Sequence, residues 1–272
     1  MCGEDAEADA LTANAPPRSS LVVESLLFAS RLFTHWRRAP TVPIQALLFP
    51  TFLLITYKLL VGKSIVRITG TDSLYGLVPM CAVAGAMFGA LGAGLLILAE
   101  RESGLLSQLW VLPVNRASAL VGRLLAEAAR TLVGATLITA VGVLLGLRFA
   151  GGWLAVIPFV LVPVLAVVVF STAVIAIAVR SKSSAALFWL AVPSITLVFS
   201  SSGVPPVEML PSWMRPLIPL QPMAPMIESM RALAEGRPAL WPLLLSFAWA
   251  LGLAAIVVPL TVRGYRAAVE SG

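Results

Sequence analysis

The amino-acid sequence predicts an all-α integral membrane protein of about six transmembrane helices. An amphipathic surface helix precedes the first span, a second lies in the loop after the second span, and short outer-leaflet helices precede the last. Three observations carry this. Of 272 residues, 59% are hydrophobic and only 12% are charged, where a soluble domain carries about 25% charged residues. Mean hydropathy is +0.94. Apolar runs of the roughly 20 residues needed to cross the hydrocarbon recur along the chain. So little polar surface cannot cover a water-soluble globule, and the bilayer must be the solvent.

Residues 1–20 are acidic at their start (Glu4, Asp5, Glu7, Asp9) and hold Pro16-Pro17. They lack the basic start and apolar core of a secretory signal, which predicts a disordered cytoplasmic tail. Over residues 21–38, Val22, Leu26, Ala29, Phe33 and Trp36 recur at spacings of four and three, while Glu24, Arg31, His35 and Arg38 take the other face. That is an amphipathic helix, and Arg31, Arg37, Arg38 and Trp36 suit an anionic membrane surface.

Residues 39–272 form the membrane domain, with spans expected at 41–61, 76–99, 128–147, 153–179, 185–203 and 239–262. Prolines interrupt several of them, which spans tolerate because neighbouring helices satisfy the freed carbonyls. With the N-terminus inside, twelve of the nineteen Lys and Arg residues fall on the inner side. That excess predicts cytoplasmic N- and C-termini in the cytoplasmic membrane. The net charge of +6 would suggest nucleic acid in a soluble chain. Here the basic residues flank apolar runs with no aromatic-interleaved patch, so they read as topology signals and no nucleic-acid partner is expected. The two cysteines, Cys2 and Cys81, can form neither a disulfide framework nor a metal site.

Two connections are long: an inner one, 100–127, and an outer one, 204–238. In the inner loop the charged triplet Glu100-Arg101-Glu102 precedes Gly104, and Leu105, Leu109 and Leu112 share a helical face with Leu106 beside them. Pro113 ends the helix. On periodicity alone this helix either docks into a partner's groove or lies in the lipid headgroups.

The residues Glu100-Arg101-Glu102, Gly104-Leu105-Leu106, Leu109, Leu112-Pro113-Val114, Arg116 and Gly122-Arg123 resemble the signature of ABC-2-type permeases. More narrowly, 104–133 is similar to the permease subunits of daunorubicin-resistance-type exporters, a group that includes actinobacterial exporters of drugs or phthiocerol-type lipids. The similarity continues in Leu210-Pro211, Trp213, Gln221-Pro222, Met230-Arg231 and Gly236. It implies that the inner helix is a coupling helix on a separate nucleotide-binding ATPase subunit, which would hold ATP and magnesium. A second permease, identical or related, would complete the pathway. No catalytic residue and no bound cofactor are expected on this chain. Gly62-Lys63-Ser64 ends like a phosphate-binding loop, but Tyr57 stands where the leading glycine belongs.

The outer loop contains eight of the chain's twenty prolines. Their density forbids a continuous helix as far as Pro225, after which residues 226–235 can form one that stops at Gly236. Glu228, Arg231 and Glu235 are spaced to pair. Pro211, Trp213, Pro222 and Arg231 are candidates for a lid over the exit; the alternative is a structural cap. In the second span, Gly85, Gly89 and Ala93 form a small-residue stripe. It serves either packing within the subunit or a substrate path at a subunit interface. Arg123, Glu127 and Arg130 are spaced to pair with one another at the inner mouth of the third span, and no acid is expected within the spans.

The predicted function is a permease subunit of an ATP-driven exporter for a hydrophobic or amphipathic substrate, a complex lipid or a lipophilic drug. An ion-gradient-driven secondary transporter is the alternative, disfavoured by the expected lack of intramembrane acids. An intramembrane enzyme is disfavoured because His35 is the only histidine and no Ser/His, His/Glu or paired-Asp set falls in the spans.

Overall fold

The structure, a computed structural model, describes residues 21–38, 41–70, 72–103, 116–180, 183–199, 212, 215–217 and 221–270. Every regular element among them is helical. In chain order these are α1 (Leu21–Arg38), α2 (Thr41–Thr69), α3 (Leu74–Glu102), α4 (Arg116–Leu144), α5 (Val156–Arg180), α6 (Ala185–Phe199), α7 (Met223–Glu235) and α8 (Leu240–Glu270), with short 3₁₀ turns at Trp153–Ala155 and Arg215–Leu217. Four helices hold stretches long and apolar enough to cross a membrane: Leu74–Glu100, Leu120–Leu144, Trp153–Ala178 and Leu240–Val257. Shorter apolar stretches, Leu48–Leu60 and Ala185–Thr196, occupy the places of the expected first and fifth spans.

α3 is the central element. Its small residues Ala82, Ala84, Gly85, Ala86, Gly89 and Ala90 let neighbouring backbones approach, while Leu77, Met80, Val83 and Met87 fill the space between them. α2, α4, α5 and α6 pack around it. A methyl group on Gly85 would lie 2.7 Å from Pro50 of α2, and one on Gly94 would collide with Val174 of α5. α8 lies at the periphery: only 11% of its apolar stretch is buried, against 72% for α3. Its exposed Leu244, Phe247, Leu251 and Ile256 suit a lipid-facing surface.

Helix boundaries differ from the sequence expectation in an informative way. The long inner connection shortens because α4 begins at Arg116, well before residue 128. α2 runs on to Thr69, and α8 runs on to Glu270. α7 begins at Met223 rather than 226. Pro225 therefore sits in the first turn, where its missing N–H has no intrahelical partner to lose. Its C-terminal stop is as expected: Gly236 takes φ 70° and Arg237 N–H donates to Ala232 O at 2.9 Å, a closure that needs a left-handed residue.

α1 lies across one end of the bundle, along the start of α4. The side turned towards the protein carries Glu24, Ser25 and Ala29, whereas Val22, Val23, Leu26, Leu27 and Phe33 are exposed. Glu24 thus leaves the exposed polar face on which periodicity places it. A helix with its apolar side outward is stable only if that side meets lipid.

Candidate functional site

The site is built where α1, α3 and α4 meet. On α4, Glu127 and Arg130 stand one turn apart, and Arg130 donates through Nε and Nη2 to the same Glu127 oxygen, Oε2, at 3.0 and 2.7 Å. Both are buried, at 5% and 8% exposure, inside the apolar stretch of α4. The guanidinium reaches α3 at Gly89, where a methyl group would coincide with it. The small residue at this point of the stripe makes room for a charge.

One turn nearer the end of the bundle, Arg123 takes a different partner. Its Nη2 donates to Oε2 of Glu100 at the end of α3, and Arg31 of α1 lies 4.0 Å from the other oxygen of that carboxylate. Glu100 therefore ties three helices together. Periodicity sees only partners on the same helix, which is why it groups Arg123 with Glu127 and Arg130. Gly122 beside it admits α1: a methyl group there would lie 2.6 Å from Phe28 Cβ and 2.7 Å from the Ser25 carbonyl oxygen.

At these charges α1 to α5 line a half-open cavity of about 800 Å³. Trp36, Phe49, Phe88, Leu96 and Ile175 supply apolar wall, Gly89, Gly92 and Ala93 keep α3 from filling it, and Arg123, Glu127, Arg130 and Ser171 are its polar lining. Ser171 of α5 and Thr131 of α4 depart from several other buried and half-buried helix hydroxyls. Thr139, Thr172, Ser194 and Ser246 each donate to the carbonyl four residues back at 2.6–2.7 Å. Ser171 Oγ and Thr131 Oγ1 are buried and have no hydrogen-bond partner among the described residues.

At the opposite end, α7 sinks between α3, α5 and α8, with Met223, Met226, Ile227 and Met230 buried. Ala150 N–H donates to Ala234 O at 3.0 Å, pinning α7 to the turn that follows α4. Arg231 pairs with Glu235 at 2.9 Å, while Arg237, beyond the helix, bridges Glu228 and Glu235. Burial pushes the Glu235 carboxyl up, but its hydrogen bonds from Arg231 and Arg237 outweigh this and hold it below its ordinary value. Asp72, after α2, behaves alike: burial raises it, and Lys58 with the Leu74 N–H bring it lower.

Several sequence candidates fall on these features. Glu100, Arg101 and Glu102 end α3, and Arg116 begins α4. Pro222 caps α7. Gly104, Leu105, Leu106, Leu109, Leu112, Pro113, Pro211 and Trp213 lie outside the described residues. Gly85 and Gly89 make contacts within the chain, and Ala93 lines the cavity. The expectation of no acid within a span needs correcting, since Glu127 lies buried in one, held by the Arg130 guanidinium. Gly62-Lys63-Ser64 lies inside α2, so its N–H groups belong to a helix and form no phosphate cradle.

A helical bundle with several spans of this length and apolarity defines a multi-pass membrane protein. Residues 25–234 match the ABC-2 type transporter family. The chain is 33% identical over 248 residues to the Mycobacterium tuberculosis protein named "Probable doxorubicin resistance ABC transporter permease protein DrrC", covering 91% of this chain and 90% of that one. It is 27% identical over 254 residues to the daunorubicin resistance ABC transporter permease protein DrrB1 of Streptomyces coeruleorubidus, covering 92% and 89%. The chain belongs to the ABC-2 type transporter family. It is a membrane permease subunit of an ABC exporter, a kind of subunit that functions with an ATPase subunit.

Proposed function

We propose that this permease moves an amphipathic or hydrophobic molecule, a complex lipid or a lipophilic drug, out through the cytoplasmic membrane. A separate subunit binds ATP and magnesium and hydrolyses the nucleotide, and a second permease, identical or related, completes the pathway. The N- and C-termini face the cytoplasm, with six spans formed by α2, α3, α4, α5, α6 and α8. The segment from Glu100 to Arg116 docks on the ATPase, with Leu105, Leu106, Leu109 and Leu112 as its apolar grip and Arg101, Glu102, Gly104 and Pro113 framing it. The observation that carries this reading is the junction at Glu100. It closes α3 just before that segment and holds Arg123 of α4 and Arg31 near it. A push on the segment therefore reaches the helices around the cavity. On the outer side Pro211, Trp213, Pro222 and Arg231 belong to a lid, of which α7 is the anchored part.

The test is co-purification with the cognate ATPase subunit, for wild type and for the double variant Leu105→Asp with Leu109→Asp. Wild type holding the ATPase, and a folded double variant losing it, supports the docking segment. Wild type that binds no ATPase in any nucleotide state refutes it.

A further inference from the structure

The outer side of α1 is divided along its length. Over the first two turns it is apolar, with Val22, Val23, Leu26 and Leu27 each at least half exposed. Over the last two it is basic, with Arg31, Arg37 and Arg38 all exposed. At about 100° per residue the three arginines share an arc of about 120°, on the same side as the apolar stretch.

Little in the structure cancels this charge. Arg37 and Arg38 form no ion pair among the described residues. Arg31 lies 4.0 Å from one oxygen of Glu100 with 43% of its side chain exposed, while Arg123 holds the other oxygen. A phosphate can therefore engage Arg31 without leaving Glu100 unpaired. The one acid of α1, Glu24, is buried on the side turned to the protein. It stands about 10 Å along the axis from Arg31 and about 20 Å from Arg37. Glu102, exposed at the end of α3, reaches none of the three arginines within ion-pair distance.

The membrane supplies the occupant. α1 runs along the start of α4 with its apolar turns outward, so that side meets lipid. A helix of this kind sinks its apolar residues to the acyl boundary and keeps its cations among the headgroups. Guanidinium groups match phosphate oxygens in charge-assisted bonds. A zwitterionic head brings its own cation to the same arginines, which favours an anionic head. We propose that α1 binds anionic phospholipid headgroups through Arg37 and Arg38, with Arg31 shared between a headgroup and Glu100. The exporter reading is not needed for this. In the structural alternative Arg37 and Arg38 only complement the C-terminus of their own helix, which gives no preference among lipid heads.

The test uses the full chain in micelles holding equal amounts of phosphatidylglycerol and phosphatidylcholine with the same acyl chains. Native mass spectrometry reads which lipids the protein retains. Wild type is expected to retain the anionic lipid at least about fivefold over the zwitterionic one, the effect of one arginine near a charged surface. Arg37→Gln with Arg38→Gln should bring that ratio close to one, and it leaves the joint at Glu100 in place. Arg38→Gln alone should lower the ratio and keeps the test decisive if the pair does not fold. A charge-matched pair of exposed residues elsewhere, Lys63→Gln with Arg148→Gln, should leave it unchanged. The inference is overturned if wild type retains both lipids equally, if the α1 pair keeps the wild-type ratio, or if the matched pair lowers it as much. A wild-type ratio near one that rises on deletion of residues 2–10 also overturns it. That result assigns the arginines to the chain's own acidic start, Glu4, Asp5, Glu7 and Asp9.

Discussion

Replacing Glu127 by Gln keeps the shape of the side chain and leaves Arg130 charged at a position only 8% exposed. Arg130→Gln does the converse and strands the Glu127 carboxylate. Removing one member of a buried pair costs about 3–5 kcal/mol, because the remaining charge is uncompensated. The lower end, about 3 kcal/mol, applies here because both residues line a cavity rather than a sealed core. The double variant leaves two amides and no stranded charge, and costs about 1–2 kcal/mol, the scale of a hydrogen bond exchanged for a poorer one. The pair is thus expected to break additivity: the double variant is more stable than either single. Unfolding by SDS titration in mixed micelles, followed by far-UV circular dichroism, reads all four proteins. If the double variant costs the sum of the singles, or either single costs below about 1 kcal/mol, the two charges do not depend on each other and the geometry has been misread.

Gly89→Ala places a methyl group on the Arg130 guanidinium and is expected to cost about 1–3 kcal/mol as overpacking. In the Glu127→Gln, Arg130→Gln background the same change should cost measurably less by the same SDS titration, since the shorter side chain at position 130 withdraws. Gly122→Ala pushes against the Ser25 carbonyl oxygen and Phe28, so amide hydrogen exchange over Leu21–Arg38 should quicken while that of α5 stays unchanged. The cap at α7 carries a pH dependence with a definite sign. The folded Glu235 carboxyl sits below its ordinary value of 4.5, so its stabilisation is complete above that value and is lost as pH falls through the lowered one. Opening of residues 223–237, corrected for intrinsic exchange, should stay flat above pH 4.5 and rise below it. Arg237→Met removes one of the two partners that lower this carboxyl, so it should raise opening at neutral pH and shrink the further rise below pH 4.5; an unchanged profile would show that this pair is not the cause.

The sequence makes legible what is local. The apolar period marks α1 as a helix though not which side it buries, Gly236 stops α7 because a left-handed closure favours glycine, and apolar length alone locates six hydrophobic stretches. What depends on neighbours in space is not legible. Arg123, Glu127 and Arg130 read as the edge of a membrane, because an unpaired charge belongs there. Pairing removes that penalty, so α4 continues through them as far back as Arg116. The partner of Arg123 lies on another helix, and Gly89 looks like a helix-packing residue until the guanidinium against it is seen. Ser171 and Thr131 have no sequence signal, since a missing back-bond shows only in three dimensions. Glu24 has the charge of a surface residue, and the only hint of its burial is the glycine at position 122 that lets α1 come close.

The cavity draws its polar and apolar lining from different parts of the chain. Every ionisable and hydroxyl group in the lining is on α4 or α5, whereas Trp36, Phe49, Phe88 and Leu96 come from α1, α2 and α3. The polar and the apolar parts of the lining can therefore change separately. Substitutions on the first three helices can reshape the apolar wall without touching the ion pair within α4. The apolar wall can thus vary in many small steps while the charged joints of α3 and α4 stay whole.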